Sequence, residues 1–146
     1  MCCEVILVSA CLAGINCKYD GGNNYHEKIL EMVKNGEAIP VYAEQLGGLT
    51  TPRNPVRVTY VNGKRRVIDE QGCDKTKEFE KGAQEILELA KKLGIKKAIL
   101  KSKSPSCGCG KIYCGDFSKK ELVDGNGVLA LLLIENGIEV ISSDDI

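Results

Sequence analysis

Four short apolar runs constrain what this chain can become: Glu4–Ser9 (EVILVS), Ala38–Ala43 (AIPVYA), Lys97–Leu100 (KAIL) and Ile138–Ile141 (IEVI). Each has the length of a strand. The first is β-branched and continuously apolar, as a strand covered on both faces must be. Pro40 suits a strand only near its start. Helical segments separate the runs. Asn23 or Asn24 can cap a helix over Tyr25–Asn35 that Gly36 stops. A longer helix, Lys77–Leu93, follows Asp74 or Thr76 as cap. It repeats apolar residues at Phe79, Ala83, Ile86, Leu87, Ala90 and Leu93 before Gly94. A third runs over Asn126–Asn136 and ends at Gly137. Glu44–Pro55 reads as loop, and Val56–Val61 with Arg65–Ile68 as a hairpin turned at Asn62-Gly63. Strands alternating with helices predict an α/β fold. The expectation is a single three-layer Rossmann-like domain over residues 1–146, with a mostly parallel sheet and an inserted β-hairpin.

Charge narrows the function classes. Lys plus Arg is 20 and Asp plus Glu is 20, so no overall basic field draws in nucleic acid or an anionic membrane. Local basic runs, such as Lys64–Arg66 and Lys91 to Lys103, read as solvated surface before they read as phosphate sites. No apolar stretch approaches the ~18 residues of a membrane helix. The N-terminal run lacks a basic leader and is broken by Ser9, so a cytoplasmic protein is expected. There, thiols stay reduced. The 8 cysteines therefore point to metal binding or catalysis before a disulfide framework.

In an open α/β sheet, sites form beyond the carboxyl ends of strands, where strand order reverses. Three loops satisfy that rule: Cys11 and Cys17 after the first strand, Glu44 and Gly47-Gly48 after the second, and Ser104, Ser106 and Cys107 after the third. Thiolates are soft ligands for zinc, cuprous ion or iron–sulfur clusters. No CxxC pair signals structural zinc. Wide spacing suits a cluster held from separate loops, while a cysteine nucleophile and inert buried thiols stay open as readings. Cys73 is expected to be a small core hydrophobe, and Asp20 a turn former. His26, the single histidine, falls on a first helical turn, so no Cys-His or Ser-His-Asp arrangement stands out. A carboxylate at the edge of an apolar strand, as Glu44 is, can be desolvated and suited to proton transfer. The plain alternative is a salt bridge to Arg53.

The segments VSACLAGINCKYDG, AEQLGGLTTPRNPV, LKSKSPSCGCGKIYCGDFS and DGNGVLALLLIENGIEV resemble, in this order and over nearly the whole chain, the thiouracil desulfidases. That resemblance implies a [4Fe-4S] cluster bound by three cysteines, here Cys11, Cys17 and Cys107. The fourth iron stays open and takes sulfur from a thiolated pyrimidine, without net redox. It implies Glu44 and Ser104 as catalytic residues. The expected substrates are 4-thiouracil, 2-thiouracil or 4-thiouridine monophosphate, giving uracil or its nucleotide plus hydrosulfide.

This chain departs from the family pattern at Tyr42-Ala43-Glu44, where Cys-Pro-Glu is usual. Cys114 stands where an aspartate is expected, and Cys109 is an addition. Lys101, Ser102, Ser106, Gly48 and the Gly125-Asn126-Gly127 helix start are candidates to hold substrate, a phosphate included. Neutral charge and 5% aromatics weigh against a nucleic-acid partner. Two rivals remain: a non-enzymatic protein holding zinc or a cluster, and a persulfide sulfurtransferase using Cys107 or Cys109.

Overall fold

The computed structural model describes residues 5–16, 20–50, 54–113, 115 and 121–145. Four strands form one parallel sheet: β1 (Ile6–Ser9), β2 (Ala38–Val41), β5 (Lys97–Leu100) and β8 (Glu139–Ser142), in the order β2-β1-β5-β8. The register pairs Leu7 with Ile39 and Ala98, and Ile99 with Ile141. The expected start at Glu4 lies outside the described residues. Pro40 sits inside β2 rather than at its start. It is tolerated there because β2 is an edge strand, where a missing N–H can face away from the ladder.

The continuous apolar runs do cover both faces. Leu7, Ala98 and Leu100 point into one core with α3 (Thr76–Leu93) and α4 (Val128–Glu135). Ile6, Val8 and Ile99 point into a second core, with Ile29 of α1 (Glu27–Lys34) and the short turn Ala10–Ala13. Period-two alternation thus builds three layers from one set of strands. In α3 the residues Phe79, Ala83, Ile86, Leu87 and Ala90 form the buried stripe, and Gly94 closes the helix at φ 68. Among the described residues, no helix is long and apolar enough to cross a membrane.

The inserted hairpin is β3 (Val56–Val61) with β4 (Lys64–Asp69). Asn62 and Gly63 both take positive φ, 52 and 77, as a primed turn needs. Thr76 at the start of α3 is buried, and its hydroxyl accepts the Val67 N–H of β4 at 2.9 Å, tying helix to hairpin.

Several expectations need correction. The segment read as loop after β2 begins with a turn of helix, α2 (Ala43–Leu46). A second hairpin, β6 (Lys111–Tyr113) with β7 (Leu122–Asp124), was not legible; its strands are only three residues long. The α1 cap position is His26, not Asn23 or Asn24. Asn23 instead bonds the Tyr25 N–H. Cys73 is exposed in the turn between β4 and α3, so it is no core residue. Asp20 does form a turn, accepting the Gly22 N–H at 2.9 Å.

Candidate metal and catalytic site

The order β2-β1-β5-β8 reverses direction between β1 and β5, so a crevice opens beyond their carboxyl ends. A cavity of about 450 Å³ lies there, within the roughly 300–1,000 Å³ that small-molecule sites occupy. Cys11, Glu44, Lys101, Ser102, Ser104 and Cys107 all line it, with Asn24, Tyr42, Arg57 and Tyr113. Residues about a hundred positions apart in the chain thus share one wall. Cys17 lies outside the described residues, as do Arg53, Cys114, Cys2 and Cys3.

Each element positions its side chain for a local reason. Cys11 is in the tight turn Ala10–Ala13, whose residues are all buried beneath α1. Its carbonyl accepts the Asn24 N–H at 2.9 Å, and the Asn24 side-chain amide donates to its sulfur at 3.5 Å. Glu44 rides on α2, which is pressed against α3 through two glycines. A Cβ on Gly82 would lie 1.8 Å from the Ala43 carbonyl oxygen, and one on Gly47 would lie 1.8 Å from the Glu78 carbonyl oxygen. Only glycine allows that approach. The signal was present in the sequence, as a lone glycine inside a strong helix.

The Ser104–Cys107 loop is built against α4. The first N–H groups of α4 donate to it: Val128 to the Pro105 carbonyl at 2.9 Å, and Leu129 and Ala130 to the Ser106 carbonyl at 2.8 and 3.1 Å. The helix start therefore caps itself on the loop and has no such donors left for a phosphate. The Gly47-Gly48 turn is likewise closed, with Gly48 N–H on the Gln45 carbonyl and Leu49 N–H on the Glu44 carbonyl. Gly48 does not line the cavity, nor does Ser106, whose side chain is fully buried. Among the described residues, the cations that line it are Arg57, Lys101 and Lys103. Arg57 lies over the Tyr113 ring, 5.0 Å from its centre, joining the two hairpins at the rim. Sequence reasoning passed over Arg57 and Tyr113 because each belongs to a hairpin, remote in sequence from the sheet loops.

Ser104 Oγ accepts two main-chain bonds, from Ser106 N–H and Cys107 N–H, each at 3.1 Å. With both lone pairs engaged, its own proton is left to be donated. Cys107 is buried, and burial pushes its thiol up to about 12. The Glu44 carboxylate and Cys11 add to the rise, while the Ser9 and Ser106 hydroxyls oppose it. These three groups therefore share one electrostatic environment. Among the described residues, no group of three His, Cys, Asp or Glu is arranged to hold a metal ion.

The donor set nonetheless fits a sulfur-ligated metal group. Two buried thiols, Cys11 and Cys107, line one cavity. The Ser106 hydroxyl is buried without a partner beside Cys107. A neutral thiol is a poor acceptor for it, and a metal-bound thiolate a good one.

Comparison with known proteins agrees with this geometry. The chain is 40% identical over 148 residues to the "Uncharacterized protein YbbK" of Bacillus subtilis (strain 168), covering 97% of each. Among solved structures it is similar to a "[4Fe-4S]-dependent thiouracil desulfidase TudS", at a TM-score of 0.86 and 39% identity. That match covers 97% of this chain and 91% of the other. The family model for 2-thiouracil desulfurase matches residues 6–145. With nearly every residue covered and the cysteine-lined crevice at the expected sheet edge, the chain belongs to the 2-thiouracil desulfurase family.

Proposed function

We propose that this protein hydrolyses the carbon–sulfur bond of a thiolated pyrimidine, yielding the carbonyl base and hydrosulfide, with a [4Fe-4S] cluster held by Cys11, Cys17 and Cys107. The observation that carries the reading is the meeting of two buried thiols, Glu44 and Ser104 on one cavity beyond β1, β2 and β5. The cluster's contribution is soft Lewis acidity toward sulfur at an iron that no cysteine holds. Net redox is zero: water enters, and sulfide leaves as hydrosulfide.

The remaining steps belong to protein groups. Glu44, on the short helix facing Cys107, takes a proton from the water that attacks the ring carbon. Ser104 cannot accept a further bond while its oxygen holds two N–H groups, so it donates. Its proton goes to the ring heteroatom where negative charge gathers as water adds, an oxyanion-type role. Lys101 spends two donors on the Ser102 carbonyl and hydroxyl, both at 3.1 Å, which holds its ammonium at the cavity edge. With Arg57 and Lys103 it favours an anionic substrate, a thiolated nucleoside monophosphate such as 4-thiouridine monophosphate, over the free base. Tyr42, where the family usually has cysteine, lines the same cavity and adds bulk without a fourth thiol.

The persulfide alternative through Cys107 requires a ready thiolate, and Cys107, held near 12, is the opposite. The test is anaerobic reconstitution followed by sulfide release. About four irons and four sulfides per chain are expected, with sulfide released from 4-thiouracil, 2-thiouracil or the 4-thio nucleotide. Glu44→Gln and Ser104→Ala should keep the iron and lose about 10²–10⁴-fold in turnover. Full activity in both variants refutes the assigned roles, and protein that takes up zinc but no iron refutes the cluster.

A further inference from the structure

We infer that Asn24, Ser9 and Ser106 are positioning residues that donate hydrogen bonds to the Cys11 and Cys107 sulfurs, and so set how much electron density those sulfurs give to the metal group they hold. The consequence drawn for the metal group rests on the function proposed above. The Asn24 hydrogen bond itself does not.

Asn24 has no helix to cap, since His26 occupies that position. It is fastened to Cys11 twice, by its N–H to the carbonyl at 2.9 Å and by its side-chain amide to the sulfur at 3.5 Å. The first bond fixes the main chain, and the second aims a donor at the one atom of Cys11 that binds metal. Ser9, at the end of β1, is 3% exposed and lines the cavity. Its oxygen accepts the Lys101 N–H across the β1–β5 seam at 2.9 Å. That bond fixes the hydroxyl on the seam, within reach of the Cys107 sulfur. Ser106 is 0% exposed, and its hydroxyl finds no partner of normal geometry. The group beside it that can become an acceptor is again the Cys107 sulfur.

Three donors on two sulfurs exceed what folding the metal-free chain calls for. Burying a hydroxyl without an acceptor costs free energy, and that cost is recovered only when the neighbouring sulfur carries charge. Donors to a metal-bound thiolate withdraw electron density from it. The metal then becomes a better acceptor for a further soft ligand, and its reduction potential rises. A non-redox reaction that needs Lewis acidity gains from the first effect, because at a fixed oxidation state the metal is more electrophilic toward sulfur; the second effect makes the change measurable.

The test has two arms. In metal-free protein, the side-chain amide resonances of Asn24 are followed by ¹⁵N NMR in wild type and Cys11→Ala. A shift of the Asn24 amide pair is expected, and unchanged resonances overturn the contact. In anaerobically reconstituted protein, the midpoint potential and the iron–cysteine stretching bands are compared for wild type, Asn24→Leu, Ser9→Ala and Ser106→Ala. Each variant should hold full iron, move to more negative potential and stiffen the iron–cysteine stretch. Equal potentials and bands at equal iron content overturn the inference. If Asn24→Leu folds without taking up iron, Asn24→Asp, which keeps the main-chain bond and the shape, decides the same question. Wild type that takes up no iron, with the Asn24 amide shifted as expected, defeats the proposed function and leaves the hydrogen bond standing.

Discussion

Replacing Gly82 by alanine isolates the contact that positions Glu44. In a helix interior the change adds a good helix former and, by itself, stabilises by about 0.8–1.0 kcal/mol. Here the added Cβ would sit 1.8 Å from the Ala43 carbonyl oxygen, 2.6 Å from its carbon and 3.1 Å from its Cα, all backbone atoms. Real Cβ contacts begin near 3.0 Å, so α2 must retreat by at least about 1.2 Å, the difference of those two distances. Overpacking of this kind costs about 1–3 kcal/mol, which cancels or exceeds the propensity gain. For a chain of this size each net kcal/mol lowers the melting temperature by about 2–4 °C.

The larger effect falls on catalysis. Glu44 is the residue after Ala43, so it moves with the displaced carbonyl. A misplacement of about 1 Å costs on the order of 10²-fold in turnover. The assay is the rate of sulfide release from reconstituted Gly82→Ala, beside its iron content and its thermal melt. Iron should remain, because Cys11 and Cys107 stand on other elements. Wild-type turnover together with a raised melting temperature, as an unconstrained helix glycine would give, refutes the reasoning.

Cys11→Ala, Cys17→Ala and Cys107→Ala should each abolish iron uptake, while Cys73→Ala, exposed in its turn, should not; iron and sulfide analysis decides. In metal-free protein at about pH 8, a thiol held near 12 ionises in about one molecule in 10⁴. Alkylation mapped by peptide mass should therefore mark Cys73 and spare Cys107. The folded state keeps a Cys107 proton that the unfolded chain gives up near 9.0, so this contribution to stability is present below that pH and fades as pH rises toward about 12. Melts of metal-free wild type should fall more steeply over that range than those of Cys107→Ala. Arg57→Ala should raise KM for 4-thiouridine monophosphate about tenfold or more while changing KM for 4-thiouracil little, since removing one well-placed charge contact costs about 1.5–3 kcal/mol. Equal effects on both substrates would remove Arg57 from phosphate recognition.

Sequence patterning by itself determined the layered α/β architecture. Unbroken apolar runs such as Val5–Val8 and Ala98–Leu100 have no stable alternative to a strand covered on both faces, and Phe79 to Ala90 have one helical stripe to bury. It also supplied the candidate groups at Cys11, Glu44, Ser104 and Cys107, because thiols, a carboxylate and a hydroxyl after strand ends carry their identities wherever the chain goes. Tertiary structure alone decided what those groups face. It turned Asn24 from a helix cap into a partner of the Cys11 sulfur, and withdrew Ser106 and Gly48 from the cavity surface. It engaged both acceptor sites of Ser104 and brought Arg57 over Tyr113 at the rim. It also set α2 against α3 at a distance that only Gly47 and Gly82 permit. The physical reason is range. Periodicity and turn chemistry act over a few residues, so sequence carries them directly. Hydrogen-bond partners, close backbone approach and burial depend on which distant segments the closed sheet brings together.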